Sequence, residues 1–272
     1  MTSPKATGGS PAALAAGRGR QARVMALTSG KGGVGKTVLA ANLAAALAQR
    51  GERVLVLDAD LGLANLDVLL NLAPKITLHD VFTGKATLEQ ALLAAPGGFS
   101  VLLAGSGLVE YSRLTPELRG QLLEVIETVR PRFDRVLLDT GAGISEVVLY
   151  TVSLADEVLV VATPEPTSLT DAYATIKVLA TQQQRTRIRL VVNQAHHAGE
   201  GRAIRSQLQQ VVDRYVSNGT DVPLKLELLG DVPTDPAVRE AVQKRQLLLD
   251  TYPGASAAQA IGALAARLSD AA

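Results

Sequence analysis

The chain has 272 residues and a net charge of +1, with 47% hydrophobic residues, only 3% aromatic ones, no Trp and no Cys. That length and apolar share fit a large α/β domain with a core of Leu, Val, Ile and Ala, and the balanced charge gives no global case for a nucleic-acid partner. Zero Cys excludes disulfides, thiolate metal sites and iron–sulfur clusters. No apolar stretch approaches the roughly 20 residues of a membrane span, and the pair His196-His197 lies in a polar turn, "NQAHHAGEG", that reads as solvated.

Residues 1–22 are rich in Gly, Ala, Ser and Pro and lack the apolar core of a signal peptide, so they read as a flexible tail on a cytoplasmic protein. Residues 23–272 read as one domain. Val24–Thr28, Arg53–Leu57, Ser100–Ala104, Arg135–Leu138, Glu157–Ala162, Ile188–Val192 and Lys225–Leu229 are strand-length apolar runs. Most are continuous rather than alternating, as expected when helices cover both faces of a sheet. Helical patterns lie between them at 37–50, 115–130, 145–153, 168–183, 200–217 and 235–243, with short helices expected around Leu78–Phe82 and Leu88–Ala94. Gly51 is placed to end the first helix, and Thr115-Pro116 to open another. The alternation predicts a single doubly wound, mainly parallel sheet with helices on both faces.

Directly after the first run, Gly30-Lys31-Gly32-Gly33-Val34-Gly35-Lys36-Thr37 fits G-x-x-x-x-G-K-[ST] without a gap. Glycines let the backbone wrap a phosphate with its N–H groups pointing inward, and the following helix adds its positive end. Lys36 is placed for the β- and γ-phosphates and the Thr37 hydroxyl for Mg²⁺. Lys31 is not required by that mechanism. It is either a solvated side chain or a group that reaches a phosphate from outside the cradle, on another subunit.

Acidic residues stand at the carboxyl ends of neighbouring strands, where open α/β sheets hold their ligands. Asp58 and Asp60 follow the second run, and Asp139 follows the apolar Val136-Leu137-Leu138 where a Walker-B aspartate is expected. Asp139 is suited to orienting Mg²⁺ directly or through water, and Asp60 to positioning an attacking water. Asp67, farther along, reads equally well as a turn or cap residue. "VVNQAHH" does not meet the guanine motif N-K-x-D, which favours ATP over GTP; Asn193 remains available to contact a base.

"SGKGGVGKT", "LDADLGLANLD", "LLDTGAGI", "VVATPEPTSLTDAYATIK" and "DVPTDPAVREAV" together resemble the MinD/ParA ATPases, from Arg23 to Leu247. "TPEPTSLTDAYATIK" looks most like the FlhG/FleN branch, regulators of flagellar number and placement. The resemblance implies a P-loop NTPase fold, ATP and Mg²⁺ as ligands, slow hydrolysis and an ATP-dependent homodimer. It implies a nucleotide-binding stretch running from Gly30 to Val38, in which Lys31 crosses to the nucleotide of the second subunit. Lys31, Asp60 and Lys36 would then serve hydrolysis, and Thr37, Asp58 and Asp139 the metal. Asp139 to Ile144 would form the second switch, Asn193 would contact adenine, and Pro233 would line the base pocket. The implied partners are a flagellar transcription activator, an FlhF-type GTPase or a flagellar switch protein, in the cytoplasm with transient residence at the inner membrane or pole.

Two departures matter. The D-Q-A-x-x-L-R motif found in many FlhG proteins is missing from "AALAAGRGRQARV". The terminal "SAAQAIGALAARLSDAA" puts Ile261, Leu264 and Leu268 on one helical face with Arg267 its only basic residue, which suits packing on the domain better than lying on lipid. The alternatives are division-site positioning, DNA partitioning through a surface of Arg185, Arg187, Arg189, Arg202, Arg205 and Arg214, and a metabolic ATP-dependent synthetase. For the last, no added substrate constellation is visible.

Overall fold

A computed structural model describes residues 21–61, 64–105, 111, 113–217 and 222–270. The flexible tail expected at the N-terminus thus lies almost wholly outside the described residues. Ala22, at its end, belongs to the domain: it is buried, and its N–H donates to the Arg130 carbonyl.

Eight strands form one sheet in the order β3-β4-β2-β5-β1-β6-β7-β8. They are β1 (Arg23–Ser29), β2 (Val54–Ala59), β3 (Leu93–Ala94), β4 (Ser100–Leu102), β5 (Arg135–Ala142), β6 (Glu157–Ala162), β7 (Arg187–Ala195) and β8 (Lys225–Pro233). All pairings are parallel except that of β3, a two-residue edge strand antiparallel to β4. β1 and β5 lie in the middle, so their side chains are covered on both faces and their sequences are continuously apolar, as expected.

One face packs against α1 (Lys36–Gln49) and α11 (Ser256–Asp270), the other against α5 (Pro116–Val129), α6 (Glu146–Ser153), α7 (Pro166–Gln183) and α8 (Glu200–Tyr215). The remaining helices are α2 (Leu66–Leu69), α3 (Leu78–Phe82), α4 (Leu88–Ala91), α9 (Pro236–Gln243) and α10 (Leu248–Thr251). α1 is apolar on every side because it is enclosed between sheet and α11, and its Ala- and Leu-rich sequence favours helix strongly. Its one buried polar side chain, Asn42, is satisfied by the Val38 carbonyl and the Leu249 N–H.

The terminal helix α11 packs on the domain as its apolar face predicts, with Ile261, Leu264 and Leu268 buried. Its last turn is held by Arg135, which donates to the Leu268 carbonyl at 3.1 Å and to Glu52 at 2.9 Å. A cation on the final carbonyls of a helix is favourable both as a hydrogen bond and toward the helix dipole. Among the described residues no helix is long and apolar enough to cross a membrane.

Candidate functional site

β1 ends at Ser29 and the chain turns through Gly30–Gly35 into α1. Gly33 (φ 79°) and Gly35 (φ 85°) are left-handed, a conformation that glycine adopts without strain. Gly35 caps α1 with no side chain, so the first amides of the helix face the loop with no side-chain acceptor from their cap. A Cβ at Gly32 or Gly33 would meet nothing within 4 Å, as a concave cradle requires. Gly30 serves packing instead. A Cβ there would lie 2.1 Å from the Asp171 carbonyl oxygen, so this glycine lets α7 close on the loop. Asn193 on β7 braces the far side, its amide donating to the Val34 carbonyl at 2.7 Å.

The carboxylates come from neighbouring strands. Asp58 on β2 and Asp139 on β5 are register partners, and side-chain alternation points both to the α1 face. Both strands run on past these residues, so Asp58 and Asp139 stand inside strands and are buried, not beyond them. Asp60 follows β2 and lies over Gly141, where a Cβ would come 3.4 Å from its Oδ1. Lys36 Nζ is 3.8 Å from Asp139 Oδ1, an oxygen that is buried without a hydrogen-bond partner. Burial, reinforced by the charge of Asp139, pushes the Asp58 carboxyl up to about 8. Asp139 is also raised by burial, against the opposing pull of Lys36 and Thr37.

These groups surround a cavity of about 660 Å³ lined by residues 31–38 together with Ser29, Asp60, Gly141 and Tyr111. A smaller, mainly apolar hollow of about 220 Å³ adjoins it at Gly35, and Val38, Asn193, Pro233 and Val238 are among the residues lining it. The residues expected to bind nucleotide or metal therefore gather in this region, with Asn193 and Pro233 on the smaller hollow and Asp58 and Asp139 buried in the adjoining strands. Lys31 lines the cavity as well, but its ammonium is engaged by α7: it sits 2.9 Å from Glu165 Oε2 and 3.1 Å from Thr167 Oγ1, at the start of that helix. The lysine side chain is 41% exposed.

Three participants do not stand out singly in the sequence. Glu165 is 134 residues from its lysine, beyond the reach of any local pattern. Tyr111 is an isolated aromatic with no periodic partner. Gly141 is visible in "LLDTGAGI" only as part of the second switch. Asp67 stands in the first turn of α2, with a buried Oδ1 that has no hydrogen-bond partner. Three of the six arginines considered as a basic surface are committed elsewhere. Arg185 donates to the Val152, Ala155 and Asp156 carbonyls behind α6. Arg187 pairs with Glu227 and Arg189 with Glu157.

Comparison with known proteins agrees with this arrangement. Residues 25–249 match the family model described as the CobQ/CobB/MinD/ParA nucleotide binding domain. The antiactivator FleN of Pseudomonas aeruginosa is 43% identical over 246 residues, covering 90% of this chain and 86% of that protein. The flagellum site-determining protein YlxH of Helicobacter pylori is 32% identical over 248 residues, 90% and 81% of the two chains. Among solved structures, the cell division ATPase MinD of Pyrococcus furiosus superposes with a TM-score of 0.75 at 28% identity, covering 92% of this chain and 99% of that one. MinD of Pyrococcus horikoshii, solved with Mg-ADP, gives 0.72 at 28% identity over 91% and 96%. The chain belongs to the MinD/ParA family of nucleotide-binding proteins, in its FlhG/FleN branch.

Proposed function

We propose that this protein is an ATP-dependent dimerisation switch that hydrolyses ATP slowly and regulates flagellar number or placement through partner proteins. The observation that carries the reading is the different placement of the two lysines. Lys36 lies beside Asp139 under the cradle, where it serves the nucleotide of its own chain. Lys31 is held by an exposed ion pair that contributes only about 0–1 kcal/mol. Moved onto a phosphate of a second protomer, it would make a charged hydrogen bond of about 1.5–3 kcal/mol, twice in a symmetric dimer.

The residues fit ATP and Mg²⁺. The open cradle at Gly32 and Gly33 admits phosphate oxygens, and the orphaned Asp139 oxygen is a ready acceptor for metal-bound water. Thr37, Asp58 and Asp139 would hold the cation together with phosphate oxygens, since no group of three or more His, Cys, Asp or Glu among the described residues is arranged to hold a metal ion. When bound, Mg²⁺ would neutralise charge on the phosphates. Asp60 would orient the attacking water, and Asn193 and Pro233 would face adenine in the smaller hollow. The flagellar reading draws on the likeness to FleN and YlxH. The DNA-partitioning alternative loses three of its six arginines, since Arg185, Arg187 and Arg189 are spent on carbonyls and carboxylates.

Asp60→Ala is expected to slow turnover and accumulate the ATP dimer. Capture of bound proteins on that trapped dimer should recover a flagellar activator, FlhF-type GTPase or switch component. Recovery of partition or division proteins instead would overturn the flagellar reading.

A further inference from the structure

The chain has only five Tyr and three Phe, yet Tyr111, Phe82 and Tyr150 gather around one small cluster beside the phosphate cavity. Tyr111 is 9% exposed and lines that cavity. Its ring meets Phe82 edge-on at 5.8 Å and His79 at 5.9 Å, and its hydroxyl lies 2.8 Å from His79 Nδ1. The same cluster takes in Leu61, Leu118, Leu122 and Val147. Leu61 directly follows Asp60, the water-positioning residue of the reading above, and is 2% exposed.

The support behind Tyr111 is rigid. α3 is closed by a capping box between Thr77 and Asp80, and the Leu78 N–H donates to the Leu103 carbonyl. Gln121 on α5 donates to the Phe82 carbonyl at 2.8 Å. The loop carrying Asp60 is held on one side by its own N–H on Asp58, at 3.2 Å, and on the other by Leu61 in the aromatic pocket. Side chains that must hold a reactive geometry need such locked neighbours.

We infer that Tyr111 is a positioning residue for ATP turnover: its ring seats Leu61 and thereby fixes Asp60 toward the phosphates, and the His79 bond fixes the ring. This rests on the hydrolysis proposed above. The same cluster includes Leu118 and Leu122 of α5, so Tyr111 lies between the phosphate cavity and the α3–α5 side of the domain.

The test is steady-state ATP turnover with nucleotide affinity measured separately by calorimetry. Tyr111→Ala should lower kcat by about tenfold or more, the scale on which small misplacements act, with KM and ADP affinity little changed. Tyr111→Phe should recover part of the loss. Tyr111→Phe and His79→Ala should each lower kcat, and the double variant should fall no further than the worse single one. A folded Tyr111→Ala with wild-type kcat overturns the inference, as do strictly additive effects of the hydroxyl and imidazole deletions. If Tyr111→Ala does not fold, the Tyr111→Phe and His79→Ala pair decides alone. Absence of turnover in the unaltered protein would instead count against the hydrolysis reading itself.

Discussion

Asp58→Asn should stabilise the protein in the absence of nucleotide and Mg²⁺, increasingly so as pH rises. Asp58 is 1% exposed, and its carboxyl accepts from the Asp60 N–H at 3.2 Å and the Leu66 N–H at 3.4 Å. Burial raises it from 3.8 to about 8 in the folded chain. Because the folded state keeps a proton that the unfolded state has lost, stability falls as pH climbs from 3.8 toward 8. Each pH unit in that window costs up to about 1.4 kcal/mol, hence ~4 kcal/mol at pH 7 as an upper bound. Asn is neutral, nearly isosteric and keeps a carbonyl acceptor for one of the two amides. A net gain of roughly 2 kcal/mol at pH 7 is expected, seen as a rise of about 4–8 °C in a chain of this size. The gain should shrink toward zero as pH falls below 3.8, where the wild-type carboxyl becomes protonated in both states. Differential scanning calorimetry at several pH values, without nucleotide, checks this. Equal melting of the two proteins at pH 7.5, or a difference that does not grow with pH, would refute the reasoning.

Further outcomes follow from the same geometry. Lys36→Gln should abolish nucleotide binding by calorimetry, since it removes the cation under the cradle. Gly30→Ala should cost roughly 2 kcal/mol or more in thermal unfolding, because its Cβ meets the Asp171 carbonyl at 2.1 Å. Gly32→Ala, which meets nothing, should leave the melting temperature nearly unchanged while weakening nucleotide affinity. Arg185→Ala should lose about 1–3 kcal/mol by freeing the Val152, Ser153, Ala155 and Asp156 carbonyls, with no dependence on added DNA.

Much of the scaffold was legible because its signals are local. The apolar run before "SGKGGVGKT" and the Ala/Leu-rich stretch after it specify β1, loop and α1 without outside help. Strand ends were less legible. β5 continues through Asp139 to Ala142 because it pairs with β1 as far as Ser29, a constraint absent from its own sequence. β3 has only two residues and exists through its pairing with β4. The arginines around 185–189 look like a basic patch in sequence because their acceptors come from α6, β6 and β8. The same is true of Lys31. The sequence exposes it as a surplus cation, but only the fold brings Glu165 and Thr167 to its ammonium.

Light scattering of the unaltered protein and Lys31→Ala, each with ATP and Mg²⁺, tests the central claim most directly. The account predicts that the unaltered protein becomes a dimer with ATP, whereas Lys31→Ala stays monomeric yet still binds nucleotide in calorimetry. An unchanged dimer fraction in Lys31→Ala would contradict it.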